Sequence, residues 1–272
     1  MNVKPFIWLF VPLAPQVWAQ DYNLGVRAQA LGGSGVALAT DPEGQFLNPA
    51  TLAQVPGKTV TFSYSRPFGI KEITLSSVAA SATVGKMALG VAAVHLGHAQ
   101  FEDQALQLAG AIKVAMPAMR RQEARAFAVG MQSILRRVQI ARYETWISWR
   151  VGAGLVAPLS EHVVWGAVVG KVLEVGREKS PRTIAFGVSY RAASRFFGQM
   201  DIFKQSDFAT EVRAGAELLL LPPLLLRVGM GTNPDRFTVG LALALKPATL
   251  HFTSFSHFDL GWTQQYAATL KQ

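Results

Sequence analysis

From Lys58 onward, apolar and polar residues alternate over short stretches set off by turn residues. In KTVTFSYSR, Val60, Phe62 and Tyr64 fall on one side, while Thr59, Thr61, Ser63 and Ser65 fall on the other. In TIAFGVSYR, Ile184, Phe186, Val188 and Tyr190 oppose Ala185, Gly187, Ser189 and Arg191. EVRAGAEL and RFTVGLALAL repeat the pattern. Period-two alternation assigns one set to each face of a β-strand. Breaks at Arg66-Pro67-Phe68-Gly69, Gly97-His98, Pro117, Pro158, Pro222-Pro223, Asn233-Pro234-Asp235 and Lys246-Pro247 punctuate the strands, because Pro and Gly disrupt strand interiors. About fourteen segments result, near residues 58–66, 70–81, 86–96, 101–115, 123–138, 141–157, 162–174, 182–193, 195–204, 210–221, 223–231, 235–245, 248–256 and 260–270. The segment 123–138 also has helical spacing through Phe127, Met131, Ile134 and Val138. A lone helix could not complete the hydrogen bonding of a membrane sheet, so a strand is expected there.

Composition decides what the strands enclose. Half the residues are hydrophobic and only 16% are charged, against about 25% in ordinary soluble domains. No stretch reaches the roughly 18 clean apolar residues of a spanning helix. The nearest, Ala214 to Leu226, carries Glu217 and the Pro222-Pro223 pair. One face of each alternating strand is bulky and apolar, the other small or polar. That suits a barrel with lipid outside and a polar lumen. The expected fold is therefore all-β, a transmembrane antiparallel β-barrel of about 14 strands. At the N-terminus, MNVK precedes the apolar stretch PFIWLFVPLAPQVW, and Val17 and Ala19 suit a cleavage site before Gln20. Residues 1–19 are expected to be a signal peptide, and residues 58–272 the barrel. Export and a barrel together predict the outer membrane of a Gram-negative type cell, with its lipid as the first partner.

Candidate chemistry is sparse. There are no cysteines, which excludes disulfides and thiolate sites. The net charge of +9 comes from 26 Lys+Arg against 17 Asp+Glu, scattered apart from Arg120-Arg121 and Arg136-Arg137. For an exported chain that argues against nucleic acid. His95, His98, His162, His251 and His257 show no metal-ligand spacing, and Ser34 in GGSGV lacks the spacing of a nucleophile elbow. Glu102 and Asp103 are adjacent and point apart on a strand. No catalytic, cofactor or metal site is expected, and the protein reads as a non-enzyme. Trp146, Trp149, Trp165, Trp262 and Tyr266 suit interfacial girdles. By alternation Arg150, Arg191, Glu211, Arg213, Glu217 and Arg227 face the lumen. They would form a salt-bridge lattice there, or line a path for a solute or peptide.

The stretch RAQALGGSGVALATDPEGQFLNPATLA resembles the N-terminal signature of the FadL-like outer-membrane barrels, in particular the PorV/PorQ-type branch associated with type IX secretion. The matching residues are Gly32, Gly33, Gly35, Ala39, Asp41, Asn48, Pro49 and Ala50. Arg227, Gly229, Pro234, His257, Leu260 and Gly261 resemble the same branch near the C-terminus. The resemblance implies that residues 20–57 form a hatch inside the lumen, which is too wide at about fourteen strands to be filled by wall side chains alone. Gly32, Gly33, Gly35, Asp41, Asn48, Pro49 and Ala50 would be its motif, with Asn48 tying the turn before Pro49. It implies one of two functions. The first is an accessory role in type IX-like protein secretion or surface attachment, with secretion machinery or exported proteins as partners. Short turns, which leave no length for a capture lid, favour it. The alternative is FadL-like passive transport of a hydrophobic small molecule across the outer membrane. A gap in the wall meeting an apolar path would favour that reading.

Overall fold

The computed structural model describes residues 25–115, 126–176, 180–192, 195–257 and 260–272. The expected signal peptide at 1–19 lies outside them. The strands run in chain order as β1 (Lys58–Arg66), β2 (Thr74–Val84), β3 (Met87–His98), β4 (Phe101–Ala115) and β5 (Ala126–Ile140). They continue as β6 (Thr145–Pro158), β7 (Val163–Gly176), β8 (Thr183–Arg191), β9 (Phe196–Gln205) and β10 (Glu211–Leu221). β11 (Leu224–Gly231), β12 (Arg236–Leu245), β13 (Ala248–His257) and β14 (Gly261–Lys271) complete the wall. Each strand pairs with its sequence neighbours, and β1 closes on β14, from Thr59 opposite Lys271 to Arg66 opposite Gln264. Closure gives every strand a neighbour on each side, so the sheet has no free end strand. The ambiguous segment is β5, paired along its length with β4 and β6.

Side-chain parity follows the alternation. On β1 Thr59, Thr61, Ser63 and Ser65 are buried inside, while Phe62 and Tyr64 are exposed on the outer wall. On β12 Leu241 is 42% exposed and its neighbour Ala242 only 1%. The outer wall carries Leu89, Leu108, Met131, Phe186, Phe237 and many similar residues. That belt is apolar because its solvent is hydrocarbon. We call the end carrying Lys58 and Gln272 the terminal rim, and the other end the far rim.

Two elements interrupt the regularity. In β7 the register with β6 shifts between Val151 and Ala153, and beyond Val169 paired with Ile184 no pairing to β8 continues among the described residues. The shift leaves Val172 and Leu173, consecutive in sequence, both exposed, as a bulge does. The second element is the segment from Gly25 to Gly57, which lies inside the barrel. It contains a short helix α1 (Val26–Ala30) and two 3-10 turns, Pro42–Phe46 and Pro49–Gln54. Helix α1 packs against β11 to β14, and the 3-10 turns pack against β1 to β6.

The wall assignment predicts that Leu241→Arg destabilises the folded barrel by about 2–4 kcal/mol if it sits near the bilayer midplane, whereas Leu241→Ile is close to neutral. Denaturant unfolding in liposomes measures both. Equal stability of the Arg variant and the wild type would place residue 241 inside.

Candidate functional site: the filled lumen and its chamber

The hatch is built from local signals. Pro42 and Pro49 each open a 3-10 turn at its first position, where a missing N–H costs nothing. Asp41 Oδ1 accepts the Glu43 N–H at 3.0 Å and Asn48 Oδ1 accepts the Ala50 N–H at 3.0 Å, the capping role short polar side chains fill. Helix α1 ends where Gly32 and Gly33 take φ 73° and 85°. There the Gly33 N–H donates to Ala28 O at 2.8 Å. An L-residue with a side chain resists that conformation.

Most wall-to-hatch bonds run from wall side chains to hatch backbone. Asp201 Oδ2 accepts the N–H groups of Gly35 (2.6 Å) and Val36 (3.0 Å). Gln199 donates to Ser34 O at 2.6 Å, Gln107 to Gln45 O at 2.8 Å, and Thr253 to Val26 O at 3.1 Å. Thr238 donates to Ala30 O and accepts from the Gly32 N–H. Asn48, fully buried, reverses the direction and donates to Val36 O (2.7 Å) and to the wall carbonyl Leu155 O (3.2 Å). The hatch has too little regular structure to satisfy its own peptide groups, so the wall supplies the partners.

Close approach needs wall positions without a Cβ. A Cβ at Gly215 would lie 2.5 Å from Leu31 Cα, at Gly240 2.6 Å from Ala30 Cβ, and at Gly90 2.8 Å from Leu52 Cδ1. Gly130, Gly154, Gly166 and Gly229 leave no more room against Ala50, Asn48, Val36 and Gly32. Sequence reasoning missed these wall residues. Their signal was an inward-facing Gly in the middle of strand after strand, as in AVGMQ, GAGLV, VWGAV, RAGAE and TVGLA.

All seven hatch-motif residues, Gly32, Gly33, Gly35, Asp41, Asn48, Pro49 and Ala50, are buried. Of the six charges assigned to the lumen, Arg150, Glu211, Arg213 and Arg227 are buried, and the Glu217 side chain is 15% exposed. Arg191 departs from the reading: it is the last residue of β8, at the terminal rim, and it is exposed. Parity puts a side chain inward only while the wall continues around it. Four of the six fall into two ion clusters, each with an arginine that alternation did not single out. Glu217 accepts from Arg227 (2.6 Å) and from Arg27 of α1 (3.2 Å). Arg227 also lies 3.0 Å from His251 Nδ1. Glu211 accepts from Arg213 (2.7 Å) and Arg236 (3.1 Å), and Arg236 also donates to Gly32 O. Arg150 stands apart on β6, with its buried Nε lacking a protein partner.

Arg150 lines a chamber that opens between the hatch and the far rim. Its apolar surface comes from Val36, Phe46 and Leu47 of the hatch and Leu96, Ile134 and Phe203 of the wall. Its polar surface includes the Asp103–Arg136 pair (2.8 Å), Gln107 and Lys171. The chamber reaches the wall where β7 and β8 part, at Gly170, Lys171, Pro181 and Thr183. A polar latch crosses that break: Glu174 accepts from Lys171 Nζ (2.9 Å), Ser180 Oγ (2.6 Å) and the Ser180 N–H (3.0 Å). Among the described residues, no cluster of three His, Asp or Glu could hold a metal ion.

A closed antiparallel barrel with an apolar outer belt and a peptide segment packed in its lumen defines a transmembrane β-barrel with an internal hatch. No protein-family model and no curated protein sequence matches the chain. Solved structures do match. The Ralstonia pickettii toluene transporter TbuX aligns at a TM-score of 0.57 and 12% identity, over 92% of this chain and 98% of that one. The Pseudomonas putida toluene transporter TodX aligns at 0.58 and 11%, over 89% and 95%. A Pseudomonas aeruginosa FadL homologue aligns at 0.57 and 10%, over 92% and 98%. At such identities the likeness is one of fold alone.

Gly130→Val should expel the Pro49–Ala50 turn, and Asn48→Ala should weaken hatch docking by about 1–3 kcal/mol by orphaning buried carbonyls. In both variants the hatch should become sensitive to added protease in intact vesicles, while the barrel keeps its heat-modifiable gel mobility. A Gly130→Val hatch as protected as the wild type would remove the close-approach argument.

Burial, reinforced by the neighbouring Asp41, pushes the Glu43 carboxyl from its ordinary 4.5 up to about 7. Burial also raises Asp41, against the pull of Arg27 and Arg227. Glu43 accepts the Val26 N–H at 2.8 Å and the Ser77 hydroxyl at 3.3 Å. An undocked Glu43 would ionise near 4.5, whereas the docked one holds its proton to about 7. Docking is therefore favoured fully below the lower value and loses that contribution as pH rises through the upper one. Protease cleavage of the hatch should increase over that window and level off above it. Glu43→Gln should flatten the profile, and an unchanged profile in that variant would assign the dependence elsewhere.

Proposed function

We propose that the protein is a passive conduit for small hydrophobic molecules in the outer membrane of a Gram-negative type cell, with the Gly25–Gly57 segment as its hatch. The observation that carries this is the chamber above the hatch, apolar on much of its surface, which meets the break between β7 and β8. An apolar solute entering there would pass the Lys171–Glu174–Ser180 latch and then meet the apolar side of the chamber. The unpartnered Nε of Arg150 offers a donor to a solute with a polar or anionic end. The likeness in fold to structures named as toluene transporters supports the same reading.

The secretion-accessory reading rests on the N-terminal and C-terminal motifs and on the short turns. The residues of the N-terminal motif are buried in the lumen, against the wall or within the hatch, and present no surface to an exported protein. The weight therefore falls on the transport alternative.

Cells lacking their own hydrocarbon channels should take up radiolabelled toluene severalfold faster when they express the protein. Leu96→Trp, which fills the chamber, should return uptake to the vector level at unchanged surface abundance. Equal uptake by vector and wild type would remove the transport reading. Loss of protein secretion in a deletion strain, with uptake unaffected, would restore the accessory role.

A further inference from the structure

The outer wall has a second concavity, independent of the lumen. It is a groove of about 1250 Å³, open side included, across β2 to β5 toward the far rim. Small residues, Ser76 and Ala93, lie between the larger Phe62, Leu106 and Leu135. Above the apolar part runs one cross-strand row: Ser76 opposite His95, His95 opposite Gln104, Gln104 opposite Arg137. Arg137 lies three residues in from the end of β5 at Ile140, and His95 three in from the end of β3 at His98. At about 3.3 Å rise per residue and the usual barrel tilt, the row lies roughly 8 Å below the far rim. That is headgroup depth when the rim stands at the membrane surface.

The charges in this row are unbalanced. Arg137 is exposed; it donates to Gln139 at 2.8 Å and has no carboxylate partner among the described residues. His95 makes no hydrogen bond there either. Glu102, one row nearer the rim, accepts from Gln104 at 3.3 Å. A guanidinium on a lipid-facing wall is favourable only where a headgroup or water can meet it.

We propose that this groove is a binding site for a phosphorylated membrane lipid. The acyl chain lies along Phe62, Ala93, Leu106 and Leu135, and the phosphate sits on Arg137 with Gln104 and His95 beside it. An Arg–phosphate contact is charge-assisted and bidentate, and the amide and imidazole add donors on the same level. A second copy of this chain does not suit the groove: under a two-fold axis through it, each copy would present the same hollow to the other.

The full-length protein is placed in nanodiscs of phosphatidylcholine containing a minor fraction of phosphatidylglycerol, then released and examined by native mass spectrometry. The wild type should retain one phosphatidylglycerol well above its proportion in the disc. The paired substitutions Arg137→Gln and His95→Gln should cut that retention about tenfold, the equivalent of one charge-assisted contact. Ala93→Trp, which fills the groove and leaves the cations in place, should lower it too. Arg142→Gln, in the far-rim turn outside the groove, should leave it unchanged. Retention in proportion to disc composition, equal retention in the paired variant, or release as a dimer would each overturn the proposal.

Discussion

Every peptide group of the hatch has to find a partner in a space that excludes bulk water. The wall cannot offer its own backbone freely, because almost all of it is committed to the ring of strand pairings. The burden falls on inward side chains: Asp201, Gln199, Gln107, Thr238 and Thr253 meet amides or carbonyls of a segment with little regular structure of its own. The same constraint explains the glycines. A side chain can reach a neighbouring backbone only if the wall elsewhere lets that backbone lie flush. The lumen therefore alternates between donors and acceptors that hold and bare positions that admit.

Charge is organised on the same principle. Arg27 and Arg227 flank Glu217, with His251 on the far side of Arg227, and Arg213 and Arg236 flank Glu211. Each carboxylate serves two guanidiniums, and Arg213 and Arg236 also reach hatch carbonyls. Neither cluster is a strong stabiliser by itself, since desolvation offsets much of the attraction. Their effect is positional: one carboxylate exchanged for an amide would leave two buried cations facing each other. This accounts for part of the basic balance of the chain without a nucleic acid or an acidic partner.

The wall was legible in the sequence because its signal is local. Period-two alternation in segments such as Lys58–Arg66 and Arg236–Leu245 depends only on which face meets lipid, so strand number and parity could be read directly. The segment 123–138 could not be settled by periodicity, and the demand for closure decided it. Arg191 was misplaced because alternation does not mark where a wall ends. The irregular register of β7 was invisible for a related reason: VVGKVLEVG reads as an ordinary strand until its partners are known. The polar contacts to the hatch join residues far apart in the chain, Thr253 with Val26 and Asp201 with Gly35, and no spacing rule links them. What the sequence did carry, unrecognised, was the recurrence of Gly at inward positions.

The seam of the barrel joins its first and last strands, and Gln272 exchanges backbone hydrogen bonds with Lys58 across it. No pair of contacts in the wall is more distant along the chain, so the seam carries the largest loop-closure entropy. The hatch precedes β1, and it touches β1 to β6 through its 3-10 turns and β11 to β14 through α1. A mandrel has this geometry: a form around which a sheet is rolled so that its free edges come to meet. Filling and casing therefore meet at one line: the strand that leads out of the lumen is the strand on which the ring shuts.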